Sequence, residues 1–293
     1  MNVSRRLLNV TKIAYYHAMT TSSSETSNNV RRGSIACVGL GMTLGSHLTP
    51  LARSYIEQAD VVFAAVSDSV VEVWLERMHP DVRSLQPYYG DGKPRMKTYQ
   101  EWVELFMGEV RAGKRVCAVF YGHPGVFAWS PHKVIKVARA EGFEAHMEPG
   151  ISAEDCLYAD LGIDPGRLGC QHFEASQLLF FERRIDPTAY LVLWQVGVVG
   201  DWSSKKLQTG SEHRQLLVDL LSNDYPLTHE IIIYRCATLP IDKPQIRRIA
   251  LHELPHVPLT TAETVILPPA AEMKQNVAML ERLQALEGAE AFT

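Results

Sequence analysis

The chain has 293 residues, enough for one large domain or two of moderate size. Hydrophobic residues make up 46% and charged residues 21%, the balance of a globular protein that buries a sizeable core without metal or disulfide support. The formal net charge of −4 provides no overall attraction for nucleic acid or for anionic lipid. We therefore expect neither a nucleic acid nor a membrane as partner.

The cysteines indicate a reducing compartment. The chain has 5 of them, no two form a C-x-x-C pair, and an odd number suits a protein without a disulfide framework. No apolar stretch is long enough to span a bilayer. We predict a cytoplasmic protein.

Residues 1–32 differ in composition from the rest. They are rich in Ser, Thr, Asn and Arg, and their first acidic residue is Glu25. A transit peptide has this bias, but a disordered arm fits equally well, as does an upstream start codon with Met19 as the true start. Because TSSSETSNNVRRG buries too little apolar surface to fold, we predict a disordered N-terminal extension over residues 1–32.

Strands and helices alternate in the first half of the folded part. Thr49 and Ser130 are each followed by proline and are the expected N-caps of two helices. This alternation predicts a parallel sheet with helices on its faces, which binds ligands at the carboxyl ends of its strands. In chain order, the strands are expected in SIACVGLG, DVVFAAV, KRVCAVF and EAHME, and the helices in LTPLARSYIEQA, VVEVWLERM, TYQEWVELFMGEVRAG, SPHKVIKVARAEG and SAEDCLYADLG.

The second half is richer in strands and predicts a second α/β unit with a mixed sheet. Its clearest helix is EHRQLLVDLLSNDY, and its expected strands are FEASQLLFF, AYLVLWQVGVV, HEIIIYRCA, QIRRIALHEL and AETVILPP. We place the N-terminal subdomain at residues 33–150, the C-terminal subdomain at 151–270, and a C-terminal helix and tail at 271–293.

A glycine turn follows the first strand. Gly39, Gly41 and Gly45 form G-x-G-x-x-x-G, one residue longer than the usual dinucleotide fingerprint. An acidic residue follows at Asp60, but it precedes the second strand, whereas a ribose ligand has to follow it. The spacing therefore argues against a nicotinamide enzyme.

The sequence His252-Glu253-Leu254-Pro255-His256 matches the zinc motif H-E-x-x-H. That motif requires a helix that brings both histidines onto one face. Pro255 lacks a helical N–H and pushes Leu254 towards an extended conformation. We therefore favour a surface connection between strands and expect no metal site.

Two further turns follow strands at the predicted ligand-binding edge. Tyr121-Gly122-His123-Pro124-Gly125-Val126-Phe127 ends one strand, and Glu148-Pro149-Gly150-Ile151-Ser152-Ala153 ends the next. Glycine and proline alone explain tight turns, but they do not explain why Tyr, His and Phe crowd the first one. Both turns expose bare backbone to a pocket.

The loop at residues 85–97 contains Tyr88, Tyr89, Lys93 and Arg95, and Tyr99 follows it. Three phenols, an ammonium and a guanidinium in one loop are compatible with a catalytic site. Composition alone leaves two other interpretations open, a solvated loop with buried tyrosine rings and a patch for single-stranded nucleic acid.

These pieces together resemble the tetrapyrrole-methylase family, the class III S-adenosylmethionine methyltransferases. IACVGLG and LTPLARSYIEQADVVF correspond to its first strand, helix and second strand. GKRVCAVFYGHPGVF stands where the family has its G-G-D-P-x-x-F loop, and EPGISA stands where it has P-G-x-S-S. YLVLWQVG, IIIYRCATLP and TVILPPA correspond to later strands, so the resemblance covers about residues 33 to 270.

A narrower resemblance is to the borosin α-N-methyltransferases, the omphalotin-type enzymes that methylate peptide backbone amides. It is carried by YYGDGKPRMKTY, FYGHPGVFA, MEPGISAEDCLYADLGIDP, FEAS and LVLWQVG. His123 replaces the Asp of the wider family, as it does in that subfamily.

The resemblance implies an α/β protein of two αβα subdomains, an intertwined homodimer, and S-adenosylmethionine in the cleft between the subdomains, with S-adenosylhomocysteine as product. By position it assigns catalysis to Tyr89, Arg95, Tyr99 and Tyr121. It assigns cofactor contacts to His123, Val126, Phe127, Ser152, Ala153, Gln195, Val196, Ala237 and Leu239.

The chemistry of an amide agrees with this assignment. An amide nitrogen is a poor nucleophile because its lone pair is delocalised into the carbonyl, so its methylation requires a base beside nitrogen and a donor beside oxygen. We assign Tyr89 as base, with its phenolate favoured by the nearby guanidinium, and Arg95 as the group that polarises the carbonyl. Tyr99 and Tyr121 would orient the amide.

Fused borosin enzymes carry a clasp domain and a C-terminal core peptide, whereas this sequence ends in EMKQNVAMLERLQALEGAEAFT. We expect a split system that acts on a separate precursor peptide with a small helical leader. Three alternatives remain: methylation of a tetrapyrrole or corrin precursor, a non-catalytic S-adenosylmethionine-binding protein, and a zinc hydrolase that uses His252 and His256.

Overall fold

Two five-stranded sheets form the core of the protein. The computed structural model describes residues 32–66, 68–90 and 92–287. The predicted N-terminal extension lies outside these ranges except for Arg32, and residues 288–293 of the predicted tail lie outside them too.

The first sheet is entirely parallel, with strand order β3-β2-β4-β1-β5. Its central strands are buried on both faces, as continuous apolar runs such as Val61–Ala65 require. The strands are β1 Ser34–Gly39, β2 Val61–Ala65, β3 Val82–Ser84, β4 Arg115–Phe120 and β5 Glu144–Glu148.

Helices cover both faces of this sheet, as predicted. They are α1 Pro50–Gln58, α2 Ser69–Glu76, α3 Arg95–Arg111 and α4 Trp129–Ala140. On one face, α3 and α4 bury an apolar cluster in which the rings of Phe63 and Phe106 lie 5.1 Å apart. On the other face, α1 and α2 bury Ile56 and Leu75 against the alternate strand residues.

Local details of this half depart from the sequence-based expectations. The Thr49 cap is confirmed, because Thr49 Oγ1 accepts a hydrogen bond from Ala52 N at 3.1 Å. The Ser130 cap is wrong, because α4 already begins at Trp129 and Ser130 is buried within its first turn. The short strand β3 was not predicted, since three partly exposed residues carry no periodic signal.

The second sheet is mixed, with strand order β6-β7-β10-β8-β9. β6 and β7 are parallel, and the other neighbouring pairs are antiparallel. Because β7 and β8 are both antiparallel to β10, they run in the same direction and end at the same edge. The strands are β6 Cys170–Glu174, β7 Tyr190–Trp194, β8 Glu230–Arg235, β9 Gln245–Ala250 and β10 Thr264–Leu267.

The remaining helices belong to this half. They are α5 Ala153–Leu161, α6 Pro165–Leu168, α7 Ala175–Phe180, α8 Ser211–Leu221 and α9 Val277–Glu287, with 3₁₀ turns at Gln86–Tyr88, Val196–Val198 and Leu251–His256. α5 packs on one face of the second sheet, and α7 and α8 pack on the other. The predicted architecture of two αβα subdomains is confirmed.

Two strand predictions in this half are too long. FEASQLLFF is a strand only up to Glu174 and then becomes helix α7, which buries Ala175, Ser176 and Leu178 with helical spacing. Amphipathic spacing over six residues is too short to distinguish from strand alternation in the sequence. QIRRIALHEL likewise leaves the strand after Ala250.

The H-E-x-x-H sequence lies in the 3₁₀ turn Leu251–His256. With about three residues per turn, side chains four positions apart point roughly 120° away from each other. His252 Nδ1 lies 3.0 Å from the Leu227 carbonyl oxygen. Across the described ranges, no three His, Cys, Asp or Glu side chains are grouped to hold a metal ion.

None of the helices within the described ranges combines the length and apolarity needed to cross a bilayer.

Candidate active site

Three strand ends of the first sheet meet in a tight glycine floor made of Gly39, Gly122 and Gly150. A Cβ on Gly150 would lie 2.3 Å from the Gly122 carbonyl oxygen and 2.9 Å from Gly39 Cα. Gly122 has a φ of 64°, and it exchanges backbone hydrogen bonds of 2.9 and 3.2 Å with Gly41. These turns are glycine-rich because side chains do not fit between them.

The loop after β1 bridges to the second sheet. Leu44 N donates to the Thr238 carbonyl oxygen at 2.9 Å, and Thr43 Oγ1 donates to the Ala237 carbonyl oxygen at 3.1 Å. Ala237 follows β8, so the carboxyl ends of strands from both sheets face a common space. We call this space the cleft.

Two aromatic rings meet across the cleft. Phe127, in the turn after β4, lies with its ring centroid 5.4 Å from that of Trp194, the last residue of β7. Phe127 and Gln195 both have left-handed backbone conformations, with φ of 49° and 60°. Non-glycine residues adopt this region at a cost, and such residues concentrate at functional sites.

A partly buried chain of polar side chains holds the Trp194 ring. Trp194 Nε1 donates to His172 Nδ1 at 3.1 Å, and His172 Nε2 lies 2.8 Å from the Tyr158 hydroxyl. Tyr158 in turn donates to Glu154 Oε1 at 3.0 Å. These partners fix His172 as the neutral tautomer with its proton on Nε2. Burial lowers the pKa of His172, and the charge of Glu154 opposes this shift.

Ser152 and Ala153 lie where α5 begins. Ser152 Oγ accepts a hydrogen bond from Asp155 N, and Asp155 Oδ2 accepts from Ser152 N at 2.7 Å, which completes a capping box. The Ser152 side chain is therefore committed to the cap. Only the backbone here and the small Ala153 side chain are available to a ligand.

The other predicted cofactor residues also lie around the cleft, on the turns after β4, β7 and β8. The ring of His123 is turned inward and accepts a hydrogen bond from Gly125 N at 2.9 Å. Val196 is fully buried in the second core, so only its backbone can face a ligand. Leu239 and Val126 are half-buried apolar side chains.

Two of the predicted catalytic tyrosines, Tyr89 and Tyr99, pack against Trp102. The ring centroids of Tyr89 and Tyr99 each lie 5.4 Å from that of Trp102 and 6.5 Å from one another. The Tyr88 carbonyl oxygen accepts hydrogen bonds from Lys93 Nζ at 2.7 Å and Thr98 Oγ1 at 3.1 Å. These bonds fasten the tyrosine loop to the start of α3.

The phenols are less acidic than the sequence suggested. Burial raises the pKa of Tyr89 first, and neighbouring Tyr99 and Tyr121 raise it further, whereas Arg95 only partly offsets these effects. Burial of the phenol raises the pKa of Tyr121 first, and Tyr99 raises it further, although 59% of the residue's surface is exposed. Arg95 acts in the expected direction, towards the Tyr89 phenolate, but burial outweighs the guanidinium and the pKa of Tyr89 is raised overall.

Arg95 begins α3 and contacts the loop that follows β7. Its Nη1 donates to the Lys206 carbonyl oxygen at 3.0 Å, and its Nη2 lies 3.9 Å from Asp201 Oδ2. Its backbone N–H donates to the Ser204 carbonyl oxygen at 3.0 Å, which is why α3 begins at Arg95 and not at Thr98. Arg95 therefore joins the two halves of the molecule.

Two cavities, of about 540 and 460 Å³, lie outside the cleft and contain none of the predicted site residues. The larger one is lined by buried Arg214, whose guanidinium donates to the carbonyl oxygens of Thr209 and Pro255 at 3.0 Å each. These bonds tie α8 to the 3₁₀ turn before β10. We assign Arg214 a structural role.

Sequence reasoning missed several residues that shape the cleft. Trp102 was detectable, because it lies three residues after Tyr99 on one helix face. Trp194 directly precedes the predicted Gln195, and Asp201-x-Ser203 is a turn signature. The contacts of Thr43 and His172 join segments far apart in the chain, and no local signal marks them.

A two-subdomain α/β fold whose strand ends face a common cleft is the fold of a known methyltransferase class. The family described as Tetrapyrrole (Corrin/Porphyrin) Methylases matches residues 34–255. The chain belongs to this family.

This chain is similar over most of its length to proteins that are named as both methyltransferases and cyclic peptide precursors. One, from Gymnopus fusipes, is a methyltransferase and precursor of the ribosomally synthesized cyclic gymnopeptides; it is 36% identical over 89% of this chain. Another, from Coprinopsis marcescibilis, is a methyltransferase and type I borosin cyclic peptide precursor; it is 37% identical over 90% of this chain. The chain spans 63% and 69% of their lengths.

The fold is also that of a solved small-molecule methyltransferase. The uroporphyrin-III-C-methyltransferase of Thermus thermophilus superposes with a TM-score of 0.57 at 19% identity, covering 81% of this chain and 93% of that one. At this identity, the likeness establishes the fold.

Proposed function

We propose that this protein transfers methyl groups from S-adenosylmethionine to backbone amides of a ribosomal precursor peptide, as a borosin-type enzyme. The observation that carries the proposal is the cluster of Tyr89, Tyr99, Tyr121 and Arg95 at the same strand edge as the predicted cofactor turns. The relatives named as methyltransferases and cyclic peptide precursors support the substrate class.

The residues around the cleft fit S-adenosylmethionine. The Phe127 and Trp194 rings offer a flat apolar surface, and the glycine floor leaves backbone groups uncovered. Small or apolar side chains at Ala153 and Leu239 leave room for an adenosyl group, in keeping with pockets that are mostly apolar with few polar contacts. Bound S-adenosylmethionine supplies an already activated methyl group.

Tyr89 is the proposed base for the amide proton. Its raised pKa keeps it a neutral phenol in the protein by itself. Arg95 lowers the pKa of Tyr89, and a sulfonium held in the cleft would be a second cation that favours its phenolate. As phenolate, Tyr89 would accept the amide proton and leave the nitrogen nucleophilic.

Arg95 is the proposed donor to the amide oxygen. Only two of its five N–H groups face the Lys206 carbonyl and Asp201, so others remain for a carbonyl that gains negative charge. Tyr99 lies one helical turn beyond Arg95 on α3, and Tyr121 follows β4. They flank Tyr89 and orient the amide between base and donor.

We propose that the acceptor is a separate peptide with a small helical leader. The cleft is open enough for this mode, because Tyr89 and Tyr121 are 41% and 59% exposed. An extended backbone from another chain can therefore reach both phenols.

A homodimer is part of the same proposal. Helix α9 leaves apolar side chains uncovered on one face in the single chain, with Met279, Leu283 and Leu286 exposed by 45%, 40% and 83%. A second copy would bury this stripe. Subdomain bounds at 33–150 and 151–270 and a cytoplasmic location complete the proposal, the latter in keeping with five free cysteines in the described part of the chain.

The test is in vitro methylation followed by mass spectrometry. The full chain is incubated with S-adenosylmethionine and a synthetic peptide that joins a helical leader to an apolar, Val- and Ile-rich tail. We expect mass increments of one methyl group, and fragmentation should locate them on backbone nitrogens of the tail.

Parallel reactions distinguish the alternatives. Methylation of a uroporphyrinogen-type substrate with no methylated peptide would overturn the proposal in favour of a tetrapyrrole enzyme. Cofactor binding without S-adenosylhomocysteine in any reaction would indicate a binding protein.

A further inference from the structure

The loop Gly200–Lys206 makes a preformed cradle for the Arg95 side chain. Asp201 lies at its centre and is buried, with 2% of its side chain exposed. Its Oδ1 accepts hydrogen bonds from Ser203 N at 3.1 Å and Ser203 Oγ at 2.6 Å, and its Oδ2 accepts from Lys206 N at 2.9 Å. The carboxylate thus shapes the whole loop around itself.

The same loop presents three acceptors to the start of α3. The Lys206 carbonyl oxygen and Asp201 Oδ2 meet the guanidinium of Arg95, and the Ser204 carbonyl oxygen meets its backbone N–H. Ser204 has a φ of 54°, a left-handed conformation that aims its carbonyl at the helix. Lys206 closes the system into a ring, since its backbone N–H binds Asp201 and its carbonyl oxygen binds Arg95.

Asp201 is ionised in this arrangement. Burial raises the pKa of its carboxyl group, but the hydrogen bonds from Ser203 and Lys206 and the charge of Arg95 outweigh burial and lower it overall. A buried carboxylate requires compensation of this kind. Arg95 is the only side-chain cation within ion-pair distance of Asp201 in the described residues.

We propose that Asp201 is a positioning residue for methyl transfer, which fixes the Arg95 guanidinium through the Gly200–Lys206 cradle so that its free N–H groups meet the acceptor carbonyl. This inference rests on the proposed function. A displacement of about 1 Å in a reacting group can cost about 100-fold in rate, so the anchor of Arg95 controls catalysis without touching the substrate.

The cradle also explains why an arginine from the first subdomain can serve a cleft shared by two. Arg95 is fastened to the second subdomain before any ligand arrives, and a pre-ordered guanidinium loses little further freedom when the amide binds. Lysine would retain the charge but could not span the Lys206 carbonyl and Asp201 together.

The first experiment is a double-mutant cycle with Asp201→Asn and Arg95→Ala, measured as kcat for peptide methylation and as Kd for S-adenosylmethionine. We expect Asp201→Asn to lower kcat by about 10- to 100-fold and to leave the cofactor Kd within about twofold. In the Arg95→Ala background the same change should cost less than about twofold, because coupled residues are not additive. An equal loss in both backgrounds would overturn the proposal.

Ser203→Ala is the matched control. It removes one hydrogen bond to Asp201 and keeps the carboxylate, the Ser203 N–H and the Lys206 N–H as partners. We expect kcat within about threefold of wild type, since the carboxylate keeps its hydrogen bonds from the Ser203 and Lys206 N–H groups and its ion pair with Arg95. A loss as large as that of Asp201→Asn would mean that loop integrity, and not the carboxylate, matters.

The second experiment does not require Asp201 to be changed, and so covers the case in which Asp201→Asn fails to fold. Guanidinium added to Arg95→Ala should restore part of kcat by occupying the cradle, whereas urea, a neutral molecule of similar shape, should not. Equal rescue by both would show that the carboxylate plays no part.

The third measurement is independent of turnover. In wild-type protein labelled with ¹⁵N, the guanidinium resonances of Arg95, assigned by their loss in Arg95→Lys, should exchange slowly with solvent and accelerate in Asp201→Asn but not in Ser203→Ala. Unchanged exchange in Asp201→Asn would refute the anchor. A wild-type protein with slow exchange but no methylated peptide would refute the proposed function and leave the anchor standing.

Discussion

The two sides of the cleft carry different kinds of groups. The side built by the first sheet contributes Tyr89, Tyr99, Tyr121 and Arg95, which are able to exchange or donate protons. The side built by the second sheet contributes the Trp194 ring, backbone carbonyls at Ala237 and Lys206, and buried Asp201. Under the proposed function the first subdomain would perform the chemistry and the second would align it, so changes on the two sides should affect different kinetic constants.

The largest effect is expected on the chemical side. Tyr89→Phe should lower kcat for methylation by about 100-fold or more, the usual contribution of a general base, and leave the cofactor Kd within about twofold. Because the pKa of Tyr89 is raised above its ordinary value of about 10, the wild-type rate should climb with pH, up to about tenfold per unit, through the neutral range. Single-turnover mass spectrometry across pH measures both.

The pH profile of the variant is the control for that experiment. Tyr89→Phe should lose the slope because the titrating group is gone. If Tyr89→Phe kept the wild-type pH profile, another residue would be the base. If it weakened cofactor binding, the first side would also bind the cofactor and the proposed division of roles would fail.

The glycine floor lies on the side built by the first sheet, at the strand ends that face the cleft. Gly150→Ala should lower the free energy of unfolding by about 1–3 kcal/mol, because its Cβ would meet the Gly122 carbonyl oxygen at 2.3 Å. It should also weaken cofactor binding, since the turns after β4 and β5 are pushed apart. Urea denaturation and calorimetric titration measure the two effects.

Gly108→Ala provides a matched glycine replacement. Gly108 lies inside α3, and a Cβ added there would have no atom within 4 Å, so the change should raise stability by about 0.5–1 kcal/mol. If both variants behaved alike, the close approach of the strand ends would have no energetic consequence.

A smaller effect is expected from the polar chain behind Trp194. Because the pKa of His172 is lowered in the folded protein, the unfolded chain binds more protons near pH 6. The contribution of His172 to the free energy of unfolding is therefore complete above about pH 6.5 and is lost as the pH falls through the folded-state pKa. Protonated His172 cannot accept the Trp194 N–H. Cofactor affinity should therefore drop by a few-fold on acidification, as followed by calorimetry.

His172→Gln tests the origin of that drop. The variant should bind the cofactor more weakly at neutral pH, by about 2- to 10-fold for one lost buried hydrogen bond, and show a flatter pH dependence. A variant with the same acid-induced loss as wild type would place the titrating group elsewhere.

The smallest effect is expected from Thr43→Val, which removes the hydrogen bond from Thr43 Oγ1 to the Ala237 carbonyl oxygen. One such bond contributes about 0.5–1.5 kcal/mol, so the cofactor Kd should rise by no more than about tenfold with kcat unchanged. Ser54→Ala, which removes an exposed hydrogen bond to Gln58 on α1, should change neither constant. A fall in kcat for Thr43→Val would contradict the division of roles.

The first sheet was predictable from local patterns, and the second only in part. Buried runs such as Val61–Ala65 and the Thr49 cap are encoded within a few residues. The helix over Ala175–Phe180 was mistaken for strand because six apolar-rich residues fit either period. The helical conformation of this segment is determined by packing against α8, which lies more than thirty residues further along the chain.

The predicted site residues could be placed in turns but not in relation to one another. That Arg95 binds the Lys206 carbonyl depends on a separation of 111 residues along the chain. The direction of the Tyr89 pKa was also beyond the sequence, because it is dominated by burial and not by the neighbouring guanidinium that the sequence shows. Distant contacts and desolvation are properties of the assembled fold.

Of the three left-handed non-glycine residues of the described chain, Phe127 and Ser204 contact the other subdomain, and Gln195 directly follows Trp194, the residue that Phe127 meets. Each carries a conformational cost of about 1–3 kcal/mol that the surrounding contacts must offset. A ligand that binds the folded chain beside these residues stabilises it according to its occupancy, so a thermal-shift assay can rank cofactor analogues before any acceptor peptide is in hand.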